Sequence, residues 1–183
     1  IDASWKTPLG MMEVDSESAL ELRDDLNILE LDSFSHSKEH SIEVQIPMLQ
    51  ETFSHEMKIL PVSLINQEQQ TATKVGSAIA KIAQKKDALL IGSSDFTHYE
   101  ENEFAHRQDL ALIDPILKLD VDEFYKILYE RHVTACGFGA IASTMIACKE
   151  LGATEGKLLK YATSGDVSGD KSSVVGYASI IFV

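Results

Sequence analysis

The sequence predicts an α/β domain with a mixed, mainly parallel sheet flanked by helices on both faces. Three observations carry that expectation. Apolar residues recur at helical spacing through several long stretches, short apolar runs stand between them, and no repeat, low-complexity tract or Pro/Gly/Ser linker divides the 183 residues. Residues 1–183 are accordingly expected to form a single α/β domain.

Asp15 and Ser16 form a capping pair ahead of Ala19, Leu22, Leu26 and Leu29, which lie on one helical face. A second helix is expected after His40, lined by Ile42, Ile46, Leu49 and Phe53, with Pro47 tolerated early in it or kinking it. The run from Lys58 to Ile65 reads as a buried strand. Ala72, Val75, Ile79 and Ile82 then mark an amphipathic helix, and Lys85 and Lys86 complement the negative end of its dipole. Ala88 to Ile91 is a continuous apolar run, as a central strand covered on both faces requires.

Helices are expected from about Glu103 to Leu119, broken or bent at Pro115, and from Asp122 to Arg131. A further one runs from Gly139 to Leu151 and stops at Gly152. Two strands close the chain, Lys157 to Ala162 and Val174 to Val183, joined by a polar Gly/Ser/Asp loop. Their adjacency invites direct pairing, which is what makes the expected sheet mixed.

Composition narrows the function classes. Hydrophobic residues at 44% and charged residues at 25% are those of a globular protein, and a domain near this size buries roughly 70% of its unfolded surface. The formal net charge is −13, from 29 acidic and 16 basic residues, and such a surface repels phosphate backbones. Nucleic acid is therefore not an expected partner. Apolar runs fall far short of the ~20 residues a membrane span needs, so no membrane association is expected. The acidic residues are scattered along helical stretches, as a solvated exterior would have them. Two cysteines, Cys136 and Cys148, are too few for a disulfide scaffold and suit a reduced, cytoplasmic setting.

The residues able to do chemistry gather at element ends. Ligands of doubly wound sheets sit beyond the carboxyl ends of strands. Ala88–Ile91 leads directly into Gly92-Ser93-Ser94-Asp95-Phe96-Thr97-His98-Tyr99. A carboxylate three residues before an imidazole can orient the ring or share a ligand with it; equally, Ser93, Ser94 and Asp95 could simply cap the next segment of chain. His40 stands at a helix start, where Glu43 could take part in a capping box and where many histidines are merely structural. Cys136 precedes another helix, and the dipole there favours the thiolate form used for ligation or redox chemistry. Cys148 falls mid-helix and reads as core packing. His36, His55, His106 and His132 have no companion motif and read as surface or helix-face residues. Imidazole, carboxylate and thiol together suit iron, copper or zinc better than magnesium, and the paired spacings of a closed structural zinc site are absent.

The stretches Glu39-His40-Ser41-Ile42-Glu43 with Gln45-Ile46-Pro47, Ser93 to His98, Ala135-Cys136-Gly137, Tyr161-Ala162-Thr163-Ser164 and Val174 to Ala178 resemble the Memo family (Memo-like, AmmeMemoRadiSam system protein B). The resemblance covers nearly the whole chain. It implies that the chain corresponds to the carboxyl-terminal two thirds of a Memo-like domain, since members carry an earlier His-Ala-Gly-Tyr type motif that nothing before Thr7 matches. The family is similar to class III extradiol ring-cleavage dioxygenases (LigB-like), which hold non-haem Fe(II) with two histidines and a glutamate.

By that resemblance His40 is a metal ligand and His98 the catalytic acid–base, with Asp95 assisting it. Cys136 occupies the position of the ligand glutamate, where a softer, oxidisable thiolate favours copper or zinc and departs from ordinary ring cleavage. The implied cofactor is Fe(II) or copper, with a further histidine supplied by the earlier segment. The implied function is a metal-dependent redox or dioxygenase-like enzyme. The alternative is a non-catalytic protein that uses the inherited pocket to bind a peptide or protein; a metal-free hydrolase built on Cys136 and His98 is a third reading. The expected partner is an unknown small molecule or peptide, with a functional link to a radical-SAM protein.

Overall fold

Residues 4–53 and 55–183 are described by the computed structural model of the chain, and they divide at Ile65 into two units.

In the first unit a hairpin is built from β1 (Ser4–Thr7) and β2 (Gly10–Val14), paired antiparallel from Ser4↔Glu13 to Thr7↔Gly10. Asp15 caps α1 (Ser16–Asp25) as its spacing predicted, accepting from the Ser18 N–H at 3.1 Å and the Ser18 hydroxyl at 2.7 Å. The short α2 (Ser33–His36) follows Asp32, which caps it in the same way. The second expected helix is shorter than its apolar spacing suggested. Residues 41–45 form turns, and α3 runs only over Ile46–Thr52, with Pro47 in its first turn, where no N–H is needed. Of the apolar run after Lys58, only β3 (Lys58–Ile59) pairs, in parallel with β2.

The second unit carries the larger core. Its helices are α4 (Gln69–Lys85), α5 (Asn102–Leu117), α6 (Val121–Glu130) and α7 (Phe138–Glu150), all close to the expected spans. Pro115 does not break α5; it stands in the last turn, and the chain leaves through Leu119 at φ +52. Between α4 and α5 lies β4 (His98–Glu100). The chain ends in β5 (Gly156–Thr163), the single turn α8 (Gly165–Ser168) and β6 (Val174–Phe182). β6 is central in a three-stranded sheet of order β4-β6-β5, antiparallel to both neighbours, so the last two strands pair as their adjacency predicted. Phe124, Leu112, Ile113, Ile116, Met145 and Ala142 are fully buried where α5, α6 and α7 meet.

The chain is therefore a mixed α/β protein. Among the described residues three of the four strand pairings are antiparallel, and the parallel one joins β2 to β3. The run Ala88–Ile91 has strand composition but forms no ladder. Leu89 and Ile91 are exposed rather than covered. A strand needs a neighbour for its N–H and C=O groups, and apolar composition does not supply one. No helix is long and apolar enough to cross a membrane among the described residues.

One buried carboxylate ties helix to sheet. Asp109 of α5 is fully buried, and burial pushes its carboxyl above the usual 3.8 despite hydrogen bonds from Thr97 and Tyr161. A carboxyl raised in the folded state favours the protonated form there. Its contribution is full below pH 3.8 and declines as pH rises through the higher folded value. Asp109→Asn has no such titration, so wild type should lose more stability than the variant on going from pH 4 upward. Urea midpoints across that range check this; parallel profiles would refute it.

Candidate functional site

The segment after Ile91 runs extended to β4 and is held there by β6. The Phe96 N–H donates to the Gly176 carbonyl at 3.0 Å, and the Gly176 N–H donates to the Thr97 carbonyl at 2.9 Å. Phe96 and Thr97 are buried by this arrangement, which leaves Asp95 and His98 on either side half-exposed. Beyond His98, Tyr99 adopts φ +61, within the irregular register of β4 against β6.

His98 is fixed twice by Thr134. Its backbone N–H donates to Thr134 Oγ1 at 2.8 Å, and its ring Nδ1 lies 2.8 Å from the Thr134 carbonyl oxygen. A carbonyl can only accept, so Nδ1 carries the proton and the lone pair of the neutral ring resides on Nε2. Removing the hydroxyl with Thr134→Val takes away this exposed hydrogen bond and should cost about 0.5–1.5 kcal/mol. Chemical denaturation measures this, and a loss below ~0.5 kcal/mol would show that water replaces the hydroxyl.

Cys136 arrives from the start of α7. Gly137, the cap of that helix, lets the two segments approach: a Cβ there would stand 2.5 Å from the Ser93 carbonyl oxygen and 2.9 Å from Ser94 Cβ. The Gly137 N–H donates to Ser94 Oγ at 2.9 Å. Gln67 braces the same turn, donating from Nε2 to the Cys136 carbonyl at 2.9 Å and accepting the Gly139 N–H at 2.8 Å. The result places Cys136 Sγ 3.4 Å from the Asp95 N–H, which donates to it, and 3.9 Å from Ser94 Oγ.

Asp95, His98 and Cys136 each present one donor atom, and these atoms lie within 4.8 Å of one another. His98 Nε2 is 3.7 Å from Asp95 Oδ2, too long for a hydrogen bond. The second unit thus brings together three of the four residues expected to form the site. The fourth, His40, belongs to the first unit, exposed at the entry to the 41–45 turn, where its carbonyl accepts the Val44 N–H at 3.1 Å. Glu39, rather than Glu43, caps that turn, accepting from the N–H groups of Ser41 at 2.6 Å and Ile42 at 2.9 Å.

Cys148 lies half-buried in α7, and burial pushes its thiol up, as suits a packing residue. His106 packs edge-on against Tyr161, ring centroids 4.8 Å apart. Gln67 and Thr134 are the contributors that motif reading missed. Burial, and then the charge of Asp95, push the Tyr177 hydroxyl up. Only the small-residue step at Gly137 signals any of this in the sequence, as a place where two backbones meet.

A family model described as Memo-like protein matches residues 1–181. A MEMO1 family protein of Nitrosopumilus maritimus (strain SCM1) is 58% identical over 183 residues, which is 100% of this chain and 66% of that protein. One from Methanosarcina acetivorans is 50% identical over 182 residues, covering 97% of this chain and 67% of its own length. MEMO1 family protein MK0963 of Methanopyrus kandleri is 45% identical over 183 residues, 99% of this chain and 65% of that protein. The chain thus spans about two thirds of the length of these relatives.

Proposed function

The chain belongs to the Memo-like protein family, and on that premise we propose that Asp95, His98 and Cys136 form part of a transition-metal centre of a redox or dioxygenase-like enzyme. The observation that carries the reading is the convergence of three chemically different donors within 4.8 Å. Thiolate, imidazole and carboxylate together favour iron, copper or zinc over magnesium or calcium. His40 and Cys136 would hold the ion, and the family's further histidine would complete its shell. A bound iron or copper would supply a redox couple and an open position for a small molecule.

The chain's own residues have definite tasks in this reading. Thr134 keeps His98 in the tautomer whose Nε2 can take a proton from a substrate. Asp95, 3.7 Å away, stabilises the imidazolium that results and orients the ring. The Asp95 N–H supports negative charge on the Cys136 sulfur.

The proposal extends to the mainly parallel sheet of the extradiol dioxygenases, which Ala88–Ile91 is apolar enough to join. It also extends to a cytoplasmic setting, where free thiols persist. Substrates would be small molecules or peptides, with a radical-SAM protein as functional neighbour.

Metal analysis of protein purified without oxygen tests the reading, with His40→Ala beside wild type. Near-stoichiometric iron or copper, reduced in the variant, is the expected result. A wild type that takes up no metal after reconstitution would instead support the non-catalytic alternative, in which the pocket binds a peptide or protein.

A further inference from the structure

We infer that Asp109 is a positioning residue for the candidate centre: from α5 it fixes the Phe96–His98 segment, and with it the direction of the His98 ring. The inference rests on the reading of Asp95, His98 and Cys136 as one centre, and it concerns a residue that takes no part in ligation.

Asp109 sits in the apolar stripe of α5, with Ala105, Leu112, Ile113 and Ile116 buried on the same face. An aliphatic side chain there would continue the stripe without the cost of burying a carboxylate. What the carboxylate adds is direction. One oxygen, Oδ1, accepts both the Thr97 N–H at 3.0 Å and the Thr97 hydroxyl at 2.6 Å. The other, Oδ2, accepts the Tyr161 hydroxyl at 2.7 Å. A single group thereby holds the residue next to His98 and the strand β5.

The sheet is built to let it through. Gly176 of β6 lies directly under the carboxylate, and a Cβ at that position would fall 1.9 Å from Oδ2. The same glycine binds the Phe96 N–H and the Thr97 carbonyl through its own backbone. Thr97 is therefore held by its side chain and both backbone polar groups, from two elements. His98 follows it, with its Nδ1–H aimed at the Thr134 carbonyl, 2.8 Å away. Without the anchor, the start of β4 can shift, and that hydrogen bond is the first to be lost. The titratable groups that face it are Tyr161 and His106, which packs edge-on against the Tyr161 ring.

The test compares wild type, Asp109→Ala, Asp109→Asn and Thr97→Val, using two readouts. In metal-free protein, nitrogen-15 NMR should show a slowly exchanging His98 Nδ1–H in wild type. It should persist in Asp109→Asn, which keeps an oxygen for Thr97, and vanish in Asp109→Ala. The nitrogen-15 shifts of the His98 ring, which distinguish the Nδ1–H from the Nε2–H tautomer and are read well below each melting temperature, should move toward a mixture of the two in Asp109→Ala and be largely restored in Asp109→Asn. Thr97→Val, which keeps Asp109 and removes one of its partners, should show an intermediate loss and carries the comparison if Asp109→Ala does not fold. A purely structural role would lower melting temperatures and leave both readouts unchanged in the folded protein, which would overturn the inference. A wild type that binds zinc no better than Cys136→Ala would overturn the centre itself, while an intact alanine-sensitive Nδ1–H signal would still uphold the anchoring role of Asp109.

Discussion

Phe124→Ala is expected to destabilise the second unit by about 3–5 kcal/mol, the usual range for deleting a buried aromatic ring. Phe124 is fully buried, stands edge-on to Tyr125 with ring centroids 5.5 Å apart, and fills the space among α5, α6 and α7. Its neighbours Leu112, Ile113, Ile116 and Met145 are held in place by the helices that carry them, so no single side chain can relax into the cavity. The consequence reaches the site, since Cys136 lies in the turn leading into α7 and α5 carries Asp109. Urea unfolding followed by far-UV circular dichroism reports the helices of this unit. The single tryptophan, Trp5, lies in the first unit, and its fluorescence provides a separate trace. A loss below ~1 kcal/mol would mean that the core collapses around the missing ring.

Cys136→Ala is expected to weaken iron or copper binding by more than the 10–100-fold that loss of an outer partner typically costs. The thiolate is the softest donor of the set, and it sets the preference for a transition metal over magnesium. Cys136 is exposed, and no core contact depends on it, so the melting temperature of the metal-free protein should hardly change. Isothermal titration under anaerobic conditions separates the two effects. Unchanged affinity in the variant would remove the sulfur from the centre and leave an ordinary polar turn.

The helices of the second unit were legible because each has apolar residues at helical spacing; the structure adds side-chain caps from Glu101 and Asp120 where α5 and α6 begin. The closing strands were legible for a similar reason, being neighbours in sequence and in space. The runs after Lys58 and at Ala88–Ile91 were over-read. Both have strand composition, but a strand is defined by its partner, and partner choice is written in no local pattern. The β1–β2 hairpin escaped notice because Pro8 and Leu9 carry a weak turn signal between two short, half-polar strands.

Asp95 and His98 were picked out as the residues after an expected strand at Ala88–Ile91 that forms no ladder, and His98 instead opens β4; Cys136 stands before α7 as expected. Gln67 and Thr134 could not be picked out, since they act through hydrogen bonds that span from 36 to 72 residues of chain. Asp109 was hidden in plain pattern: a polar residue in an apolar helical stripe marks a buried network only once its partners are seen.

X-ray absorption at the metal edge of the iron- or copper-loaded protein tests the central claim most directly. The account expects one sulfur scatterer at about 2.3 Å together with nitrogen or oxygen neighbours at about 2.0–2.2 Å, and loss of the sulfur shell in Cys136→Ala. A spectrum with oxygen and nitrogen neighbours alone, identical in wild type and variant, would contradict it.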